Sequence, residues 1–173
     1  MSQLASELKQ TKPFTSPVQE AVLSIKRTAA LLELRLAELL RPYGVTPTQY
    51  NVLRILRGAG SDGLPRCEVQ GRLVAPVADT TRLLDRLEKM GLVSRARNTE
   101  DRRVVTSKIT PRGLALLDKV AAPLRQFEEN EVGLKVAGAL DRLGAVAGLT
   151  DDGERVLLEQ PDERLRPGMS ARA

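Results

Sequence analysis

Histidine and tryptophan are absent from this chain, and aromatic residues make up only 2% of it. Without imidazole there is no Ser-His-Asp or Cys-His nucleophile and no histidine-ligated zinc. The single cysteine, Cys67, has no intramolecular disulfide partner. No basic segment followed by an apolar stretch opens the chain, so a reducing, cytoplasmic setting is expected. No uncharged apolar run approaches the roughly 20 residues that a bilayer span needs, so no membrane partner is expected. Metal-ligand spacing is missing as well, and neither a metal nor a cofactor is implied.

What is present is an ordinary globular balance, 42% hydrophobic and 28% charged over 173 residues, enough for one domain or one domain with a tail. Lys and Arg number 27 against 22 Asp and Glu, a net charge of +5 that suits a polyanionic partner. The charge is unevenly spread. Residues 1–61 hold 8 basic and 4 acidic side chains, 62–117 hold 11 and 7, and 118–173 hold 8 and 11. Arg95, Arg97, Arg102, Arg103, Lys108 and Arg112 lie close together, opposed locally only by Glu100 and Asp101.

Residues 1–16 are polar and contain Pro13, and they read as a loosely packed arm. Val18, Val22, Ile25, Ala29, Leu32, Leu36 and Leu39 then recur at alternating steps of 4 and 3, which predicts a long helix over 17–42. A second stripe of Ala21, Leu31, Leu34 and Leu40 lies beside that seam. So small a monomer offers few partners for both, which favours a helical dimer interface. Thr46-Pro47 reads as an N-cap and first-turn proline, opening a helix that stops at Gly58 and Gly60. Gly63-Leu64-Pro65 reads as a connector. A brief helix over Arg66–Leu73 follows, and then one from Val77 to Met90 begun by Pro76 and stopped by Gly91. Three short helices with tight connections suggest a helix-turn-helix core.

On the helix predicted for 77–90, Thr80, Leu83, Leu84, Leu87 and Met90 share the inner face, and Ala78, Thr81, Arg82, Asp85, Arg86 and Lys89 the outer. Short polar groups at its start allow close approach to base edges, while the cations beside them reach phosphates. Two β segments, Leu92–Arg97 and Val104–Ile109, flank a six-residue polar loop and predict a hairpin. At its tip Asp101 is suited to brace one neighbouring guanidinium and so orient the other towards a narrow minor groove. Thr110-Pro111 repeats the capping device. The helix it opens has Leu114, Leu117, Ala121 and Leu124 on one face, and Pro123 is expected to kink it. A last helix is expected over 136–149, and 150–173 reads as an acidic, mobile tail.

The run Asp79-Thr80-Thr81-Arg82-Leu83-Leu84-Asp85-Arg86-Leu87-Glu88-Lys89-Met90-Gly91-Leu92-Val93, then Asn98 through Asp101-Arg102-Arg103, then Ile109-Thr110-Pro111-Arg112-Gly113, resembles the MarR family of winged-helix transcription regulators. The likeness extends over about residues 18–149. It implies a mainly α fold with a small β-hairpin wing: a winged helix-turn-helix over 43–109, with dimerisation helices over 17–42 and 110–149. It implies, further, a homodimer that binds double-stranded DNA at a pseudo-palindromic operator, usually to repress. Ala78, Asp79, Thr80, Thr81, Arg82 and Arg86 would then read or flank the major groove with Arg97 nearby. Arg102 and Arg103 would form the wing tip, braced by Asp101, with no assignment of which arginine enters the groove.

Family regulators commonly release DNA on binding a small aromatic or anionic ligand, and the resemblance puts Leu36, Leu39, Tyr43, Tyr50 and Arg54 near such a pocket. The other reading of Tyr43 and Tyr50 is packing at a helix junction. Cys67 stands beside Arg66 at a helix start, the surroundings of redox-sensitive thiols, although a small half-buried filler would also suit the position. The competing function is a dimeric winged-helix module that binds a protein or small ligand rather than DNA. Enzymatic chemistry is not expected, because the carboxylates are scattered over helical surfaces.

Overall fold

The computed structural model describes residues 3–97 and 105–132. Asp101, Arg102 and Arg103, the helix expected over 136–149 and the tail from 150 lie outside the described residues. The chain divides into two compact units, residues 1–24 with 137–173 and residues 25–136.

In the first unit, helix α1 (Gln3–Glu7) lies inside the segment read as a loose arm. Its Leu4 and Ala5 are buried while Ser6 and Glu7 are exposed, so this part of the arm is packed through its two adjacent apolar side chains. Helix α2 (Pro17–Leu40) starts in this unit, where the Ser16 hydroxyl accepts the Gln19 N–H at 3.2 Å and Pro17 opens the first turn. The predicted long helix is present, and residues of its apolar stripe are exposed. Val18 is 62% exposed, and Val22 and Ile25 are each 45% exposed.

In the second unit, a 3-10 turn at Arg41–Tyr43 ends α2 and is closed by Gly44 at φ 73°. Helix α3 (Pro47–Gly58) begins with a reciprocal cap. The Gln49 N–H donates to the Thr46 hydroxyl at 3.2 Å, and the Thr46 N–H donates to Gln49 Oε1 at 2.9 Å. After β1 (Leu64–Pro65) come α4 (Arg66–Gly71) and α5 (Thr80–Lys89), then the hairpin of β2 (Val93–Arg97) and β3 (Val105–Ile109). Helix α6 (Pro111–Phe127) follows, capped by Thr110, and passes through Pro123 into a wider π turn at Glu128–Val132. The fold is thus mainly α, a helix-turn-helix with a β wing.

Three local expectations need correction. Leu64–Pro65 is not a bare connector but an edge strand, giving an antiparallel sheet of order β1-β3-β2 with Leu64 opposite Ser107 and Val93 opposite Ile109. Gly63 enters that strand at φ +69°, where a Cβ would run into the Ser107 carbonyl and the Lys108 side chain. Second, α5 starts at Thr80 rather than after Pro76, because the Asp79 carboxylate accepts the Arg82 N–H at 2.9 Å and fixes the helix start there. Third, α6 turns Gly113, Leu117 and Val120 inward, while Leu114 and Ala121 are exposed.

Leu40, Leu53, Leu56, Val69, Leu84, Leu87 and Leu117 form the centre of one hydrophobic core, with Leu92 and Val93 closing it from the sheet. At about 1.5–3 kcal/mol for each fully buried aliphatic side chain, this core fixes how α5 is rotated. The tightest joint is where β2, β3 and α6 meet. The Thr110 N–H donates to the Leu92 carbonyl at 3.1 Å, and the Thr110 hydroxyl donates to the Gly91 carbonyl at 2.7 Å. Gly113 sits so close that a Cβ would strike the Leu92 carbonyl and the Ile109 side chain.

Gly113→Ala is therefore expected to destabilise the chain by about 1–3 kcal/mol in urea unfolding. Gly58→Ala, where an added Cβ meets nothing within 4 Å, should be neutral or stabilising by up to about 1 kcal/mol. Equal midpoints for Gly113→Ala and the parent would refute the close approach.

Candidate nucleic-acid interface

Burying Leu84 and Leu87 leaves Thr81, Arg82, Arg86 and Lys89 exposed on the opposite side of α5. Beside that face, α3 contributes Thr46 and Thr48 to a cleft of about 280 Å³ whose other wall is Val77, Asp79, Arg82 and Arg86. The α3 start is well ordered by its reciprocal cap, so its threonine side chains are presented on a fixed turn. Arg97 is exposed at the end of β2 and Lys108 on β3, so the sheet adds cations of its own. Among the described residues, no carboxylate lies within salt-bridge distance of Arg82, Arg86, Lys89, Arg97 or Lys108. These cations are available to an external polyanion.

The expected residues stand differently to this surface. Ala78 is exposed in the loop before α5, and Asp79 is both the helix cap and part of the cleft wall. Thr80 is 3% exposed, its hydroxyl without a hydrogen-bond partner, because the first turn of α5 directs it into the core. It therefore cannot touch a ligand on the outer face. Arg102, Arg103 and the brace Asp101 lie outside the described residues.

Arg95 is the residue whose role sequence reasoning missed. Rather than adding to the positive field, its side chain is only 19% exposed and turns back from β2 onto α5. Its Nη1 donates to Asp85 Oδ1 and lies 4.0 Å from Glu88 Oε2. Two carboxylates that would dilute the positive face are thus held by a cation from the sheet, and α5 is tied to the wing strand. The available signal was the pair Asp85 and Glu88, three residues apart on one helix, followed closely by an arginine with strand alternation.

The five residues expected to surround a ligand stand in different surroundings. Tyr50 belongs to the buried core, Leu36 packs against it, and Arg54 is exposed. Leu39 lines a cleft of about 420 Å³ with Arg35, Pro123 and Phe127. Tyr43 lines a different one, of about 490 Å³, with Met90, Leu92, Arg112, Leu116 and Lys119. Leu39 and Tyr43, like Leu36, also pack against the core that contains Tyr50. Cys67 is exposed on α4 rather than half-buried, and the neighbouring Arg66 guanidinium donates to Gln70 at 3.1 Å. Among the described residues no group of His, Cys, Asp and Glu has the arrangement of a metal site, and no helix is long and apolar enough to cross a membrane.

Comparison with known proteins matches this architecture. The family model described as MarR family matches residues 45–105. An uncharacterized HTH-type transcriptional regulator of Bacillus subtilis (strain 168), YsmB, is 30% identical over 104 residues, covering 60% of this chain and 70% of that protein. The HTH-type transcriptional repressor MdtR of the same organism is 33% identical over 100 residues, covering 58% of this chain and 63% of MdtR. The crystal structure of a MarR transcription factor from Planctomyces limnophilus superposes with a TM-score of 0.62 at 35% identity, covering 82% of this chain and 100% of that one.

Removing the Arg95 brace should be measurable as stability. Arg95→Met is expected to cost about 1–2 kcal/mol, discounted for the exposure of the two carboxylates. A double-mutant cycle with Asp85→Asn should return a coupling of about 1 kcal/mol by equilibrium unfolding. Strictly additive single effects would mean that the ion pair does not join the strand to the helix.

Proposed function

The chain belongs to the MarR family, and from that premise we propose that it is a homodimeric transcriptional regulator that binds double-stranded DNA at a pseudo-palindromic operator and represses from it. The observation that carries this reading is the outer face of α5, where Thr81, Arg82, Arg86 and Lys89 stand clear of the core and, among the described residues, of any carboxylate partner. A ten-residue helix exposed in this way suits the major groove, with its N-terminal residues at base edges and its cations on phosphates. Arg97 extends the same charge towards the wing, where one of Arg102 and Arg103 would enter the minor groove while Asp101 braces the other. Repression is supported by the resemblance to MdtR. With relatives that regulate transcription and no histidine, an enzymatic role has no support.

Dimerisation is supported by the seam on α2. Val18, Val22 and Ile25 are exposed at heptad spacing, and a second copy of the same stripe covers them at the lowest cost in apolar surface. Residues 17–42 and 110–149 form the dimerisation part in this reading, and 43–109 the reading head. Release by a small aromatic or anionic compound is supported by the cleft beside Tyr43. Met90, Leu92 and Leu116 supply apolar surface there and Arg112 and Lys119 supply charge. An occupant there would meet the end of α5 directly, since Met90 is its C-cap.

The test is solution size together with site selection. The full chain is expected to sediment as a dimer and to enrich, from random duplexes, one inverted repeat with half-sites about 34 Å apart. Its affinity should fall steeply and log-linearly with salt. A stable single subunit, or enrichment of no sequence, overturns the proposal in favour of a winged-helix module for a protein or small ligand. The wing is tested separately: Arg102→Ala with Arg103→Ala should weaken operator binding at least tenfold, about 1.4 kcal/mol, and an unchanged titration would remove the wing from the interface.

A further inference from the structure

Among the described residues four helices open with hydrogen-bonded side-chain caps next to or near proline, and three of the caps, Ser16 on α2, Thr46 on α3 and Thr110 on α6, are neutral. The cap of α5 is Asp79. Neutral residues cap as well as aspartate, so the negative charge is not needed to start the helix. Its position makes it costly for general DNA binding: Asp79 is exposed and lines the same cleft as Arg82 and Arg86, the cations available to phosphate. One carboxylate oxygen, Oδ1, accepts the Arg82 N–H. Among the described residues the other has no hydrogen-bond partner, and neither arginine forms an ion pair with it.

An ionised carboxylate only accepts hydrogen bonds. In the major groove the only donors are the cytosine N4 and adenine N6 amino groups, whereas guanine O6 and N7 and thymine O4 are acceptors that would oppose it. Adenine sets its N7 acceptor beside N6, against the carboxylate, while cytosine offers its amino group with no acceptor on its own edge. The guanine paired with that cytosine presents O6 and N7, which suit an arginine. Arg82 lies three residues on and lines the same cleft. We propose that Asp79 is a specificity-determining residue that accepts a hydrogen bond from a cytosine N4 amino group in each half-site. The free carboxylate oxygen reads the base while the bonded one starts the helix. This rests on the reading that α5 enters the major groove.

Asp79→Asn keeps the cap but replaces an acceptor-only group by one that both donates and accepts, a pairing suited to adenine. Asp79→Ser keeps a cap and removes the reach, and it serves as a second variant with independent folding. Sites are selected from random duplexes with the full-length parent and each variant, after thermal melts establish folding. The expected result is one C·G pair per half-site in the parent pool that shifts to A·T or loses its preference in the Asn pool and loses it in the Ser pool, all other positions unchanged. On the parent site, exchanging that pair for T·A should weaken the parent about tenfold and the folded variants less than threefold. Parent and variant pools with the same base preferences overturn the assignment to Asp79 alone. A parent that enriches no sequence overturns the DNA reading itself, and this inference with it.

Discussion

Everything on the proposed reading surface depends on the burial of Leu84 and Leu87. Both are fully enclosed, and α5 has only ten residues, so no other rotation about its axis keeps them out of water. Turning the helix by one residue would expose a leucine and press an arginine towards the core, losing several kcal/mol of apolar burial and stranding a charge. The hydrophobic effect, not attraction between charges, therefore aims Arg82, Arg86 and Lys89 outwards. Electrostatics acts on a face that packing has already selected.

The ends of α5 are fixed by different means. Asp79 closes the first turn through one backbone hydrogen bond, and Gly91, at φ +71°, lets the chain reverse after the last. Within a few residues the chain has entered β2, and Leu92 accepts from Thr110 at the start of α6. Helix end, sheet and α6 are consequently one joint, with Gly113 pressed against it. The cleft lined by Tyr43, Met90 and Lys119 includes Leu92 of this joint, and in the proposed reading an occupant there would act on the end of α5.

Arg95 adds an electrostatic device to this mechanical one. By turning inward to Asp85 and Glu88 it keeps two negative charges of α5 from competing with the exposed cations, and it links the wing strand to the helix. Asp79 is the acidic group of α5 left outside that pairing. In the proposed reading this leaves a surface that attracts phosphate over most of its extent and carries one acceptor at the helix start. General affinity and base preference are thereby assigned to different side chains.

The amino-acid order by itself determined whatever is settled within a few residues. Thr46-Pro47 and Thr110-Pro111 open helices because a hydroxyl reaches a backbone N–H three residues on, and the inner stripe of α5 follows from 3.6 residues per turn. The charge clusters and the absence of imidazole chemistry needed no fold. Tertiary structure alone decided that Leu64–Pro65 becomes a strand, because its partner Ser107 lies more than forty residues away. It decided that Arg95 faces α5, and that Tyr50 is buried in the core while Tyr43, packed against that core, also lines a cleft. Those outcomes depend on which surfaces meet when the core closes, and pairings between distant segments leave no periodic trace in either segment.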